Sequence, residues 1–172
     1  SLSVKELKRT RPERLKNFRK DFRKVAEYVI VDSAAGLGPE ASCAIDIADE
    51  LIIVTNPEMP AITDALKAVK LAELMKKPVT GIIVTRVKKD DIELSPEVVR
   101  EMLEIPILGM IPEDDDVRKS ISMKKAVVHS HPKCNASRAY KEIAAKLIDV
   151  QYDSEKDKDK FLKRFSKWIG LD

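Results

Sequence analysis

Four short apolar runs constrain this chain more than any other feature: YVIV at 28–31, LIIV at 51–54, GIIVT at 81–85 and ILGMI at 107–111. They are rich in β-branched residues and bounded by polar or turn-forming ones, the pattern of strands buried on both faces. Their first residues lie 23, 30 and 26 positions apart. Each gap holds a helical pattern, at about 39–48, 61–76 and 96–104. Strands alternating with helices give right-handed crossovers in a parallel sheet. The expected fold class is α/β, a mostly parallel sheet with flanking helices.

Local signals place the helices. Pro39 starts the first after the glycines, and Ser95-Pro96-Glu97 supplies a cap, a first-turn proline and a first-turn acid to the third. Residues 114–124 read as a further short helix, and 136–148 as a final one capped by Asn135. Ahead of the first strand, Pro12 and the recurrence of Leu15, Phe18, Phe22 and Val25 predict an amphipathic helix over 12–26. Its other face is Lys and Arg, which suits either a solvated surface or a nucleic-acid patch. No aromatics interleave those charges as single-strand binders require, and this disfavours nucleic acid.

The 172 residues, 44% of them hydrophobic, fit one domain with a substantial core. The organisation expected is a domain over 1–150, a charged linker over 151–159 and an amphipathic segment over 160–172. The net charge of +3 is uneven: residues 1–27 carry +6 and residues 160–172 carry +3, leaving −6 for the middle. An acidic body with two basic ends points the ends at something anionic. No apolar run approaches the ~18 residues of a membrane span, and the charged start has no signal-peptide core, so a cytoplasmic location is expected. Cys43 and Cys134 form no Cys-x-x-Cys and fit thiols of a reducing compartment.

The ends of the four runs carry the candidate chemistry. Asp32 to Gly36 follow the first, Thr55-Asn56-Pro57-Glu58 the second, Thr85-Arg86 the third and Pro112-Glu113-Asp114 the fourth. Ligands of open α/β sheets bind at this edge. Asp32, followed by the low-bulk Ser33, Ala34, Ala35, Gly36 and Gly38, reads either as a metal-directing carboxylate before a switch loop or as a plain helix cap. A metal-bound phosphate is expected near Asp32 and a flat polar group near Arg86 and Pro112. No G-x-x-x-x-G-K-[ST] phosphate loop occurs.

In that order, VIVDSAAG, TNPEMPAITDALK (55–67), VTR (84–86), PILGMIPEDDDVRKS (106–120) and FLKRF (161–165) resemble the carboxyl two-thirds of the MinD family. These are membrane-associated deviant-Walker ATPases related to the ParA partition ATPases. The fold implied is the SIMIBI type of P-loop NTPase, here without its amino-terminal strands and with a C-terminal amphipathic helix. The resemblance implies ATP and Mg²⁺ as cofactors, with Asp32 holding Mg²⁺ through water. It places Ser33 and Gly36 in the switch loop and Thr85, Arg86, Pro112, Glu113 and Asp114 around the adenine. Glu58 and Asp64 would lie at an ATP-dependent homodimer face, Asp64 counting with Asp32 among the catalytic groups. The family usually has Pro where this chain has Ala34. Its signature-lysine loop and first strands have no counterpart here, so the chain is expected to be truncated and inactive alone, whatever its parent does. Two other readings are a non-enzymatic membrane-anchored adaptor and a ParA-like partition ATPase.

The last segment can be read without the resemblance. Phe161, Leu162, Phe165, Trp168 and Ile169 make one helical stripe, with Lys160, Lys163, Arg164 and Lys167 on the flanks and opposite side. Such a helix lies on an anionic membrane or docks on its own core, and the charged linker favours the membrane. Half-burying five such side chains gives on the order of 5 kcal/mol, with ~1 more per cation. Ordering the segment costs much of that, so one helix binds reversibly and two on a dimer bind cooperatively. An anionic membrane surface follows as the expected contact, and the resemblance adds peripheral attachment to the inner face of the cell membrane and an unidentified regulatory or cargo protein as partner. His129-x-His131-x-x-Cys134 has metal-ligand spacing, but Pro132 and the loop setting favour a solvated turn.

Overall fold

The computed structural model describes residues 22, 24–33, 36–88, 90 and 92–152. In chain order these form α1 (Pro39–Ile47), β1 (Leu51–Thr55), α2 (Met59–Leu74), β2 (Val79–Val87), α3 (Pro96–Leu103), β3 (Ile107–Pro112), α4 (Asp115–Ser122), α5 (Val127–Ser130) and α6 (Asn135–Leu147). The strands make a parallel three-stranded sheet in the order β1-β2-β3. The α/β alternation expected from the spacing of the runs is therefore realised.

Alternate residues of β2 divide the core between two faces. Ile82, Val84 and Val87 pack with Ile62 and Ala65 of α2 and Val99 and Leu103 of α3. Ile83 faces the opposite layer, where Ile111 packs with Ala136 and Ile143 of α6. Ile62 and Ile82 are fully buried, and each contributes about 1.5–3 kcal/mol. Helix α6 approaches β3 so closely that a Cβ on Gly109 would overlap the side chain of Ile143. Lys77 closes the far end of α1, its ammonium donating to the carbonyls of Asp46 (2.7 Å) and Ala48 (2.6 Å). Those carbonyls belong to the helix end, where no intrahelical N–H remains for them.

Three expectations are corrected. Residues 28–31 have no strand pairing, and Tyr28, Val29, Ile30 and Val31 are exposed. An extended apolar run becomes a strand only with a neighbouring ladder, and β1 has one strand neighbour, β2, among the described residues. The cap of α6 is Cys134, whose Sγ accepts from the Ser137 N–H at 3.4 Å, while Asn135 is the first helical residue. Helix α2 begins two residues early because Pro60 sits in its first turn, where a missing N–H costs nothing. Ser95 caps α3 as expected, accepting from Val98 N–H at 3.4 Å.

Of the expected helix over 12–26, only its end falls among the described residues, where Ala26 N–H donates to Phe22 O at 3.1 Å. The linker over 151–159 beyond residue 152, and the amphipathic segment over 160–172, lie outside the described residues.

Candidate functional site at the carboxyl edge of the sheet

The three strand tips are laced together at one edge. Thr85 Oγ1 donates to Thr55 O at 3.0 Å, joining β2 to β1. Glu113 N–H donates to Val87 O at 2.9 Å, joining β3 to β2. Leu94 N–H donates to Pro57 O at 3.0 Å and draws the loop before α3 onto the tip of β1. Between Val84 and Val87 the register with β3 shifts, and Arg86 within that bulge has φ 58°. A bulge re-aims the side chain it carries. Here it turns Arg86 toward Glu113, with Nε 3.2 Å from Oε2.

The left-handed backbone of a non-glycine residue costs about 1–2 kcal/mol. The ion pair does not offset it, since the arginine side chain is 65% exposed and exposed pairs contribute ~0–1 kcal/mol. Among the described residues, four other non-glycine residues, Lys76, Glu104, Lys124 and Asp149, share this left-handed φ, but Arg86 alone of the five lies within a strand, at the edge where ligands of open α/β sheets bind.

Pro112 ends β3 opposite Val87, and Asp114 begins the next turn. The Asp114 carboxylate accepts from Asp116 N–H at 3.0 Å and from Ala136 N–H at 3.2 Å. These two bonds, the Asp116 one first, hold its pKa below that of an ordinary aspartate. Asp114 thus caps α4 and tethers the start of α6, while Glu113 points at Arg86. The structure therefore brings together Thr85, Arg86, Pro112, Glu113 and Asp114 of the expected adenine set.

The other expected residues lie on other elements. Asp32 and Ser33 are exposed on the extended segment before α1. Gly36 has φ 87°, a conformation that suits glycine and few other residues. Glu58 stands at the cap position of α2 without a side-chain capping bond. Asp64, on the exposed face of α2, pairs with Lys67 at 2.8 Å.

Sequence reasoning placed Asn56 in the second strand tip but gave it no role. Its Oδ1 is a buried side-chain acceptor with no partner among the described residues, at the tip of β1. A buried acceptor left open at a ligand edge is what a bound donor completes. An Asn before Pro57, immediately after an apolar run, was the available signal.

Residues 13–158 match a family profile described as 4Fe-4S iron sulfur cluster binding proteins, NifH/frxC family. The chain belongs to this family. The ParA/MinD-type NTPase fold it shares with its relatives is the one described above. An uncharacterised ATP-binding protein of Methanocaldococcus jannaschii is 37% identical over 98% of the chain, which spans 64% of that protein. The septum site-determining protein MinD of Neisseria meningitidis is 31% identical over 80% of the chain, which spans 56% of it.

Among solved structures, MinD of Pyrococcus horikoshii complexed with Mg-ADP superposes with a TM-score of 0.79 at 24% identity, covering 86% of the chain and 60% of that protein. A MinC:MinD complex from Aquifex aeolicus gives 0.76 at 29% identity, covering 83% of the chain and 61% of the matched one.

The family description names an iron–sulfur cluster, which takes four cysteine thiolates. This chain has two cysteines, Cys43 within α1 and Cys134 before α6. One chain does not supply the set, so its residues do not fit a cluster held within it. A nucleotide fits better: the edge offers an oriented Arg–Glu pair, a threonine, a proline and an open amide acceptor.

Proposed function

We propose that this chain is part of a MinD-like ATPase in which ATP-dependent dimerisation controls peripheral membrane attachment, for cell-division-site selection or a related positioning task. The observation that carries this reading is the strained bulge presenting Arg86 to Glu113 at the tips of β2 and β3. In this reading Thr85, Arg86, Pro112 and Glu113 would flank a purine base. Asp114, as the cap of α4, would fix the turn that follows Glu113.

Asp32 would hold Mg²⁺ through water, and Ser33 and Gly36 would form the turn that follows nucleotide state. The exposed start of α2, with Glu58 and Asp64, is accessible to a second copy. The relatives' names support ATP as the nucleotide and septum placement as the process, and the MinC:MinD complex supports a regulatory protein partner. The stripe at Phe161, Leu162, Phe165, Trp168 and Ile169, with Lys163, Arg164 and Lys167 beside it, supplies the membrane contact in this reading. Among the described residues, no helix is long and apolar enough to cross a membrane.

The test uses a longer protein in which a phosphate-binding loop precedes this sequence. Sedimentation with anionic liposomes should show tighter binding with ATP than with ADP. Equal binding in the two states overturns the switch.

A further inference from the structure

We propose that Asp114, Asp116, His131 and Cys134 form a site for one divalent transition-metal ion of the zinc class, separate from the nucleotide's magnesium. The ligand atoms of Asp114, Asp116 and Cys134 all lie within 4.8 Å of one another. His131 Nε2 lies 4.0 Å from Asp116 Oδ1. A tetrahedral ion with bonds of ~2.0–2.3 Å places its ligands roughly 3.3–3.8 Å apart, so modest contraction closes the three-residue group, and His131, which is near Asp116 but outside that group, completes the set by a swing of its ring. The four donors come from two parts of the fold: the cap and first turn of α4, and the turn joining α5 to α6.

Each donor is already oriented by a second contact. His131 Nδ1 lies 3.1 Å from Ser130 Oγ, which leaves Nε2 for the cluster. Metal-binding histidines are held by this use of the other ring nitrogen. Asp116 is ion-paired with Lys119 at 2.8 Å. Asp114 receives the two N–H groups described above, and Cys134 Sγ receives the Ser137 N–H. Those helix-end N–H groups bond to ligand atoms and still leave lone pairs for an ion, and the Cys134 thiol, which donates to Ser137 Oγ at 3.3 Å, would give up its proton on metal binding. Asp116 and His131 side chains are 28% and 27% exposed, which permits entry from solvent.

The donor mixture selects the ion. Two carboxylates, an imidazole and a thiolate suit Zn²⁺ and Co²⁺, whereas Mg²⁺ and Ca²⁺ take oxygen. The linear pattern His129-x-His131-x-x-Cys134 contributes two of the four donors. His129, in α5, is outside the cluster, and tertiary packing supplies the two aspartates in its place. A bound ion would lock the first turn of α4 to the α5–α6 turn and so hold the β3 tip that carries Glu113.

The experiment is titration of the metal-stripped 172-residue chain with Co²⁺, read by absorption. One equivalent should produce a near-ultraviolet thiolate-to-cobalt band and intense visible bands of four-coordinate cobalt. Equimolar Zn²⁺ should bleach them, and excess Mg²⁺ should not. Cys134→Ser should abolish the thiolate band while keeping a capping oxygen for α6, so far-ultraviolet dichroism should be unchanged. His131→Gln should weaken Co²⁺ binding roughly tenfold or more. Cys43→Ser and His129→Gln should bind as the unaltered chain does. Absence of the band in the unaltered chain, or its survival in Cys134→Ser, overturns the site.

Discussion

Arg86 Nε and Glu113 Oε2, 3.2 Å apart, join the tips of β2 and β3 at the point where the ladder between them loses register. The pair is largely solvated, so its coupling is expected to be below ~1 kcal/mol. The backbone beneath it should matter more. Arg86→Gly should leave stability within about 1 kcal/mol of the parent chain, because glycine accepts φ 58°. Arg86→Val, a branched side chain in the same conformation, should cost about 1–2 kcal/mol more than glycine. Urea unfolding midpoints of the two variants check the order, and valine equal to glycine would refute a left-handed Arg86.

Gly109 lets α6 rest against β3. Gly109→Ala should destabilise by about 1–3 kcal/mol through overlap with Ile143. Ile143→Val costs ~0.5–1.5 kcal/mol alone but should recover part of the loss in the double variant. A double-mutant cycle by urea denaturation measures that recovery, and strict additivity would mean the two residues do not press on each other.

Asp114 predicts an acid-sensitive corner. Its folded pKa is lowered, chiefly by the Asp116 N–H and then by the Ala136 N–H, so its contribution is present above the unfolded value of ~3.9. It is lost as pH falls through the folded pKa. Asp114→Asn keeps an acceptor for one of the two N–H groups but not for the other, so it should cost on the order of 1 kcal/mol at neutral pH and flatten the acid limb of the stability curve. Thermal unfolding followed from neutral pH down to about pH 3 checks both, and parallel curves for the two proteins would contradict the assignment.

Among the described residues nothing fully covers one face of β1: Ile52 and Val54 are 38% and 63% exposed, although parallel strands are normally covered on both faces. Val54→Lys should reduce concentration-dependent self-association of the isolated chain with little change in stability. Light scattering across a dilution series reads this directly.

Removing the segment after Asp159 should abolish liposome binding. Replacing Trp168 with Glu should do so without shortening the chain, since one charge within the apolar stripe opposes its burial. Retained binding in both variants would place the membrane contact elsewhere.

The three paired strands and the helices between them were legible because spacing and apolar runs act locally, and Ser95-Pro96-Glu97 marks its helix with three agreeing signals. Residues 28–31 carry the same local signal as β1, yet pairing is a property of neighbours, and the run alone cannot report whether a ladder is present. The cap of α6 was misplaced by one residue because asparagine is a far commoner cap than cysteine, and only geometry shows Cys134 Sγ receiving the N–H. The tip residues Thr85, Arg86 and Glu113 could be grouped from the order of the strands. The bulge that turns Arg86 could not, since nothing in VTRVK marks a left-handed arginine. The partnership of His131 with Asp116 depends on how α4 packs against the α5–α6 turn, which no linear spacing encodes.

Lys77 clasps the carbonyl end of α1, and the other end of that helix carries the Gly36–Gly38 turn. A nine-residue helix pinned at one end is a lever, about 13 Å long at ~1.5 Å per residue. A tilt of roughly 10° about the lysine displaces the glycine end by about 2 Å, comparable to gaining or losing one shell of contact with a phosphate oxygen. The pinned end lies at the amino edge of the sheet, so any tilt of α1 about Lys77 would be largest at its glycine end and smallest beside the start of β1.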